Sequence, residues 1–137
     1  MVDHALEIDL PDFEPMSGRK SKTKDARKKD LVKRILQSNE AAIEVAKSQF
    51  GGKRLCLEVA FRLWKSDEGH TDTTGKKDID NLLKLVMDAI QTPAKDGGLG
   101  LIENDDQIFK IIATKRLVDE ETSKGIWLKI SEITEDT

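Results

Sequence analysis

The segment from Arg54 to Trp64 constrains the fold most strongly, because its side chains alternate between two characters. Leu55, Leu57, Val59, Phe61 and Leu63 predict one face of a strand, and Arg54, Cys56, Glu58, Arg62 and Trp64 predict the other. A strand with an apolar face must bury that face against a second layer. The sequence therefore predicts a β-sheet with other elements packed on one side.

Apolar spacing and glycine or proline breaks predict the remaining elements. Residues 2–10 predict a short strand that ends at Pro11, and residues 24–50 predict a long helix that ends at Gly51-Gly52. A second helix opens at Asp78, with an apolar face formed by Ile79, Leu82, Leu83, Val86, Met87 and Ile90. Residues 107–118 and 126–133 predict two strands that pair as an antiparallel hairpin. The order β-α-β-α-β-β predicts one α+β domain over residues 1–137, a small mixed β-sheet covered by helices.

Charge is distributed unevenly along the 137 residues, whose net charge is −3. Residues 16–34 contain only two acidic side chains but a cluster of basic ones, namely Arg19, Lys20, Lys22, Lys24, Arg27, Lys28, Lys29, Lys33 and Arg34. A local basic field attracts a polyanion even when the whole chain is acidic. The segment therefore has two interpretations of about equal weight, a solvated helix face and a surface that neutralises DNA phosphates.

Cysteine content and hydropathy bear on the cellular location of the protein. Cys56 is the single cysteine, so no disulfide within the chain is expected. No apolar run approaches the roughly 20 residues of a membrane helix, and the N-terminus lacks a basic region followed by an apolar one. These features predict a cytoplasmic protein with no membrane partner.

Two acidic segments are candidates for chemistry. Asp78 and Asp80 open the second helix, and Asp105 precedes a strand. Taken alone, each has an ordinary structural explanation, as a helix cap or as a turn residue. Taken together, they are expected to converge at one edge of the sheet, where a hard divalent cation would neutralise them. Such an arrangement is typical of phosphodiester cleavage.

The sequence blocks around these residues resemble a known family. The blocks are Lys77-Asp78-Ile79-Asp80-Asn81-Leu82-x-Lys84, then Asp88-Ala89-Ile90, then Asn104-Asp105-x-Gln107-Ile108. They resemble the RusA Holliday junction resolvases, which are small, often prophage-encoded, magnesium-dependent endonucleases that act as homodimers. The resemblance covers residues 53–133, and Asn104 stands where the family commonly has aspartate.

The resemblance implies roles for individual residues. Asp78, Asp80 and Asp105 would be the catalytic carboxylates and the ligands of Mg²⁺, with Mn²⁺ as a substitute. Lys84 would be an essential helper that touches phosphate or the attacking water, and Asn81 and Asp88 would support the site. Asp105 is preferred to Asp106 because it lies two residues before Gln107, and because neighbours on a strand point to opposite faces. The basic residues expected to contact DNA are Arg19, Lys20, Lys22, Lys24, Lys76 and Lys77.

The predicted function is cleavage of branched DNA, such as four-way junctions, in recombination or repair. Paired cuts need two sites, which predicts a two-fold homodimer to which the helix over residues 24–50 contributes. Two alternatives stay open, a non-catalytic DNA-binding protein of the same fold and an interaction protein with no nucleic-acid role. Mg²⁺-dependent cleavage distinguishes the first function from both, and salt-sensitive DNA binding distinguishes the two alternatives from each other.

Overall fold

Four strands and two long helices make up the described part of the chain in a computed structural model. The structure describes residues 5–13, 15, 21–64 and 78–133, without the side chains of residues 21–24. The strands are β1 (Ala5–Pro11), β2 (Leu55–Trp64), β3 (Ile108–Val118) and β4 (Gly125–Glu132), and the helices are α1 (Ser21–Phe50) and α2 (Ile79–Gln91). The predicted α+β class and the order β-α-β-α-β-β are confirmed.

Strand β2 lies inside the sheet, and its predicted alternation is confirmed. Its apolar face, Leu55, Leu57, Val59, Phe61 and Leu63, is fully buried in the core, while the residues between them are half-buried. It pairs in parallel with β3 and antiparallel with β4. The sheet is therefore mixed, as the sequence predicts, and its helical layer covers one face.

The predicted hairpin between residues 107–118 and 126–133 is wrong. The strand order is β1-β4-β2-β3, so β4 is inserted between β1 and β2 and does not pair with β3. The side chains that β4 turns inward, Ile126, Leu128 and Ile130, are fully buried. Most residues of β3 are exposed. The more apolar strand takes the central position because that position buries more surface.

The connection from β3 to β4 passes over the end of β2, where Arg62 holds it. The Arg62 Nε donates to the carbonyl oxygen of Ser123 at 3.1 Å, and its Nη2 donates to the Asp9 carboxylate at 2.8 Å. Gly125 follows, at a point where a Cβ atom would overlap the Leu10 carbonyl oxygen and the Arg62 guanidinium group. One arginine and one glycine thus allow β4 to enter the sheet beside β1.

Helix α1 begins at Ser21, three residues before the predicted start, and is broken at Asn39. The backbone of Asn39 is non-helical (φ −132°, ψ 17°). Its side-chain amide donates to the carbonyl oxygen of Ile35 at 3.1 Å, a bond that competes with the helical ladder. Buried residues continue on both sides of the break, with Ile35 before it and Ile43 after it. Within the described ranges, no helix is both long and apolar enough to cross a bilayer.

Helix α2 starts where the sequence predicts, after Asp78, but its buried face differs from the predicted one. The buried residues are Leu82, Leu85, Val86, Ala89 and Ile90, while Leu83 and Met87 are only partly buried. Ile79 is exposed, and Leu85 is 5% exposed although the prediction omitted it. The apolar stripe therefore begins one turn into the helix, and the first turn is left free for other contacts.

Two matched substitutions test this assignment. Leu85→Ala should lower the free energy of unfolding by about 2–5 kcal/mol, because it leaves a cavity under α2. Ile79→Ala should change it by less than about 0.5 kcal/mol, because Ile79 is exposed. Urea unfolding followed by circular dichroism measures both. A larger loss for Ile79→Ala than for Leu85→Ala would mean that α2 packs with the face predicted from its sequence.

Candidate active site

Asp78 and Asp80 lie at the N-terminal end of α2 with their carboxylates exposed. Asp78 occupies the N-cap position, and its backbone carbonyl accepts from the Leu82 amide at 3.0 Å. Its side chain makes no capping hydrogen bond. The Asp78 side chain therefore does not cap the helix, although capping is the usual structural role of an aspartate at this position. No lysine or arginine among the described residues forms an ion pair with either carboxylate.

Asp105 lies in a short 3₁₀ turn, Asp105–Gln107, directly before β3. Asn104 caps this turn, because its side-chain oxygen accepts from the Asp106 amide at 2.8 Å. Asp105 and Asp106 are both exposed and both precede the strand. The argument from opposite strand faces does not apply to them, so the preference for Asp105 rests on the resemblance alone.

Gln107 fixes this turn against the end of α1. Its side-chain oxygen accepts from the Glu103 amide at 2.9 Å. Its side-chain nitrogen donates to the carbonyl oxygens of Phe50 and Lys53, at 2.8 and 3.0 Å. The Gln107 side-chain amide thus connects its own turn, the backbone at Glu103 and the chain at the end of α1. Sequence reasoning used Gln107 only as a motif position and missed this role, because its partners Phe50 and Lys53 are distant in the sequence.

The glycine-rich segment after α2 brings the Asp105 turn to the C-terminal end of that helix. The amides of Leu99 and Leu101 donate to the carbonyl oxygens of Ala89 and Ile90, each at 2.8 Å. Gln91, the last residue of α2, and Gln107 line one cavity of about 260 Å³. A helix of 13 residues is about 20 Å long. Asp105 therefore lies beyond one end of α2, while Asp78 and Asp80 lie at the other.

The three predicted carboxylates do not converge within one chain. In the described part of the molecule, no three histidine, cysteine, aspartate or glutamate side chains form a group able to hold a metal ion. The reason is the parallel pairing of β2 and β3. A helix that connects parallel strands runs back along the sheet, so its start and the start of the next strand lie at opposite ends. The donor chemistry still suits Mg²⁺, which binds through one or two carboxylates and retains water or phosphate ligands.

The other motif residues of α2 differ in their surroundings. Lys84 is exposed one turn after Asp80, on the same side of the helix. Asn81 is half-buried and has an interaction partner. Asp88 forms an ion pair with Lys28 of α1 at 3.6 Å, and the Thr92 hydroxyl donates to its backbone carbonyl at 2.6 Å. Asp88 therefore joins the two helices and closes the end of α2, a supporting role within the fold.

The predicted DNA-binding residues lie largely outside the described residues. This is so for Arg19, Lys20, Lys76 and Lys77, and for the side chains of Lys22 and Lys24.

Three basic residues further along α1 are engaged in the fold. Lys28 and Lys29 both pair with Asp25, at 3.8 and 3.2 Å. Arg34 donates to the Pro11 carbonyl at 3.0 Å and lies over the Phe13 ring, with 5.6 Å between its guanidinium carbon and the ring centre. Lys28 and Arg34 therefore connect α1 to α2 and to the end of β1, whereas Lys29 pairs only within α1.

A comparison with protein families supports the resemblance. The model of the family described as endodeoxyribonuclease RusA matches residues 6–130 of the 137. The matched range contains both helices, nearly all of the sheet and every acidic residue discussed above. No curated protein matches the chain. The likeness is thus wider than residues 53–133, where the sequence motifs lie.

The hydrogen bonds of Gln107 support a further prediction. Gln107→Leu should destabilise the protein by about 1–3 kcal/mol, because the Glu103 amide and the Lys53 carbonyl oxygen lose this side-chain partner and the Phe50 carbonyl oxygen keeps only the Lys53 amide. Amide hydrogen exchange at Glu103 should accelerate in the same variant. Asp106→Ala is the matched control, since its side chain makes no hydrogen bond or ion pair with the described residues. An unchanged exchange rate at Glu103 would contradict the assigned role of Gln107.

Proposed function

The chain belongs to the RusA family of endodeoxyribonucleases, and from this premise we propose that it resolves four-way DNA junctions by Mg²⁺-dependent hydrolysis. The observation that carries the proposal is the state of Asp78 and Asp80. Both carboxylates are exposed at one helix end, without a cap bond or an ion pair to the described residues. The reaction would serve recombination or repair of DNA in the cytoplasm.

Each residue of the motif has a distinct role in this proposal. Asp78 and Asp80 would hold Mg²⁺, or Mn²⁺ in its place, and Asp105 would complete the carboxylate set. The bound ion supplies Lewis-acid activation of water and of the scissile phosphate. Lys84 would donate a hydrogen bond to a phosphate oxygen or to the attacking water, since it is exposed on the same side of α2 as Asp80.

We further propose that the site is completed between two copies of the chain. Within one copy, the length of α2 separates Asp105 from Asp78 and Asp80. A two-fold dimer can bring the partner subunit's Asp105 to the start of α2, and the same operation forms the second site. Two symmetric sites also suit a junction, because resolution requires paired cuts on strands of like polarity.

DNA contacts are proposed for Arg19, Lys20, Lys22, Lys24, Lys76 and Lys77. The supporting observation is that Lys28, Lys29 and Arg34 of α1 are occupied by contacts within the fold. The basic charge of the preceding segment would therefore add to that of Arg27 and Lys33 in attracting phosphates.

One observation favours a second candidate, a non-catalytic DNA-binding protein of the same fold. The described residues of a single chain contain no group of three or more histidine, cysteine, aspartate or glutamate side chains able to hold a metal ion. Incubation with a four-way junction, a linear duplex and a single strand, each with and without Mg²⁺, separates the two functions. Salt-sensitive binding to all three substrates without any cleavage would establish the second candidate.

Replacing the carboxylates one at a time tests the ligand set. Asp78→Asn, Asp80→Asn and Asp105→Asn should each reduce junction cleavage by about 10²–10³-fold, because each removes charge that holds the ion against the phosphate. DNA binding should be unchanged or tighter, since a negative charge near phosphate is lost. Asp106→Asn is the matched control and should cleave normally. Gel-based cleavage and binding assays measure both properties. Normal cleavage by all three variants would show that the assignment of Asp78, Asp80 and Asp105 is wrong.

Mixing two inactive variants tests whether the site is shared. Asp80→Asn and Asp105→Asn should each be inactive alone, but a mixed dimer has one site whose carboxylates are all intact. After exchange of subunits, about a quarter of all sites should be intact, and the product should be mainly junctions nicked on one strand. If each site lies within one chain, every site in the mixture carries a defect and no activity returns. Mixing Asp78→Asn with Asp80→Asn is the control, and it should restore nothing in either case.

A further inference from the structure

Phe109 is the most exposed large apolar side chain among the described residues, at 63%. It is the second residue of β3 and follows the turn that carries Asp105. A scattered exposed apolar residue is ordinary on a protein surface. The exposure of this ring therefore becomes informative only together with the features around it, which are a break in the strand register, an arginine and a particular distribution of charge.

A bulge in β3 places Phe109 outside the strand register. Leu55 of β2 pairs with Ile108 and Cys56 pairs with Lys110, so Phe109 has no partner residue on β2. The bulge has a structural effect of its own, because it brings Ile111 beside Leu57 on β2. That effect does not require an aromatic residue at the bulged position. Bulges beside active sites often redirect one side chain, and the side chain redirected here is an aromatic ring.

Arg54 lies over the Phe109 ring, with 5.8 Å between its guanidinium carbon and the ring centre. The backbone holds the two residues in this relation. The Gln107 side-chain nitrogen donates to the Lys53 carbonyl oxygen at 3.0 Å, and the Ile133 amide donates to the Arg54 carbonyl oxygen at 2.8 Å. The ring and the guanidinium group therefore extend from connected backbone segments, which lowers the entropic cost of ordering them around a ligand.

The charges around the ring favour a ligand that is neutral at the ring and negative beside it. No acidic side chain among the described residues forms an ion pair with Arg54, so its charge is available to an anion. Asp105 and Asp106 are exposed in the turn before the strand and would repel an anion placed next to them. A nucleotide meets both conditions, because its base is flat and neutral and its phosphate is negative.

We propose that Phe109 and Arg54 form a stacking site for one unpaired nucleobase of single-stranded DNA. The base would lie against the ring, and the guanidinium group would contact the adjacent phosphate. Every base has a face that stacks on an aromatic ring, so the site tolerates different sequences. In a duplex those faces are covered by neighbouring bases, so the site distinguishes single strands from duplex. The inference rests on the proposed function only in taking DNA as the ligand, and it requires neither cleavage nor a second chain.

An oligonucleotide without bases tests the stacking directly. In EDTA, the protein should bind a short thymidine oligonucleotide about 5–150-fold more tightly than an abasic one of equal length, the range that one base–aromatic stack supplies. Phe109→Leu should abolish this preference and Phe109→Trp should retain it, because leucine keeps apolar surface but has no flat ring. Leu117→Ala, which alters another exposed apolar residue of β3, is the matched control and should retain it. Fluorescence anisotropy measures each affinity, and a preference that survives in Phe109→Leu would overturn the proposal.

Salt dependence tests the phosphate contact separately. Arg54→Gln should weaken binding of the thymidine oligonucleotide and reduce the slope of log affinity against log salt by about 0.7, the value for one phosphate on a single strand. Phe109→Leu should leave the slope unchanged, because it removes no charge. Lys124→Gln, at the connection between β3 and β4, is the control and should also leave it unchanged. The assignment of Arg54 is wrong if its variant keeps the full slope.

A protein–protein contact through Phe109 is the competing explanation. The Phe109→Leu and Phe109→Trp variants should have the sedimentation coefficient and circular dichroism spectrum of the unmodified protein, because the side chain is exposed. A changed sedimentation coefficient with a normal spectrum would assign Phe109 to an interface and overturn the stacking site.

The stacking site and the proposed reaction fail in different experiments. If the base preference depends on Phe109 but the unmodified protein cleaves no junction with Mg²⁺, the stacking site is correct and the proposed reaction is wrong. If the unmodified protein cleaves junctions while Phe109→Leu keeps the full base preference, the reaction is correct and the stacking site is wrong.

Discussion

The burial of one face of β2 beneath the helices is the interaction on which the rest of the structure depends. Leu57, Phe61 and the other inward residues of this strand are fully buried. Burial of each such side chain contributes about 1.5–3 kcal/mol, whereas an exposed ion pair contributes about 0–1 kcal/mol. Both neighbours of β2 in the sheet, and the helix that follows it, take their positions from this strand. The ion pairs between Lys28, Asp25 and Asp88 adjust an arrangement that apolar burial already stabilises.

The sequence was sufficient for features that depend on neighbouring residues. The strand around Leu57, the end of α1 at Gly51 and the start of α2 after Asp78 all follow from local spacing. The pairing of β3 and β4 did not follow, because two successive alternating strands usually form a hairpin. Strand β2 lies between these two strands, and the other neighbour of β4 is β1, more than a hundred residues earlier in the chain. No local pattern carries that information, although Gly125 marks a close approach that a plain turn would not require.

In the candidate site, too, some features depend on local sequence and others on long-range contacts. The chemistry of Asp78, Asp80 and Asp105 and their positions at element ends could be predicted from residue type and spacing. Their separation could not, because it depends on whether β3 runs parallel or antiparallel to β2. The contribution of Gln107 was also inaccessible, since its three hydrogen bonds join backbone groups that lie far apart in sequence. Local patterns thus identified the acidic residues, while distant contacts determine which of them share a site.

The central place of β4 has a consequence for how this protein folds during synthesis. Residues 125–131 pair with residues 5–11, so the contacts that complete the sheet span nearly the whole described chain. Such non-local pairings slow folding, because the ends of a long loop must meet before the contacts form. Until β4 is synthesised, β1 has no strand beside it in the described sheet and one edge of β2 lacks its neighbour. The nascent protein therefore exposes unpaired strand edges until β4 is synthesised, a period in which chaperone binding or aggregation competes with folding.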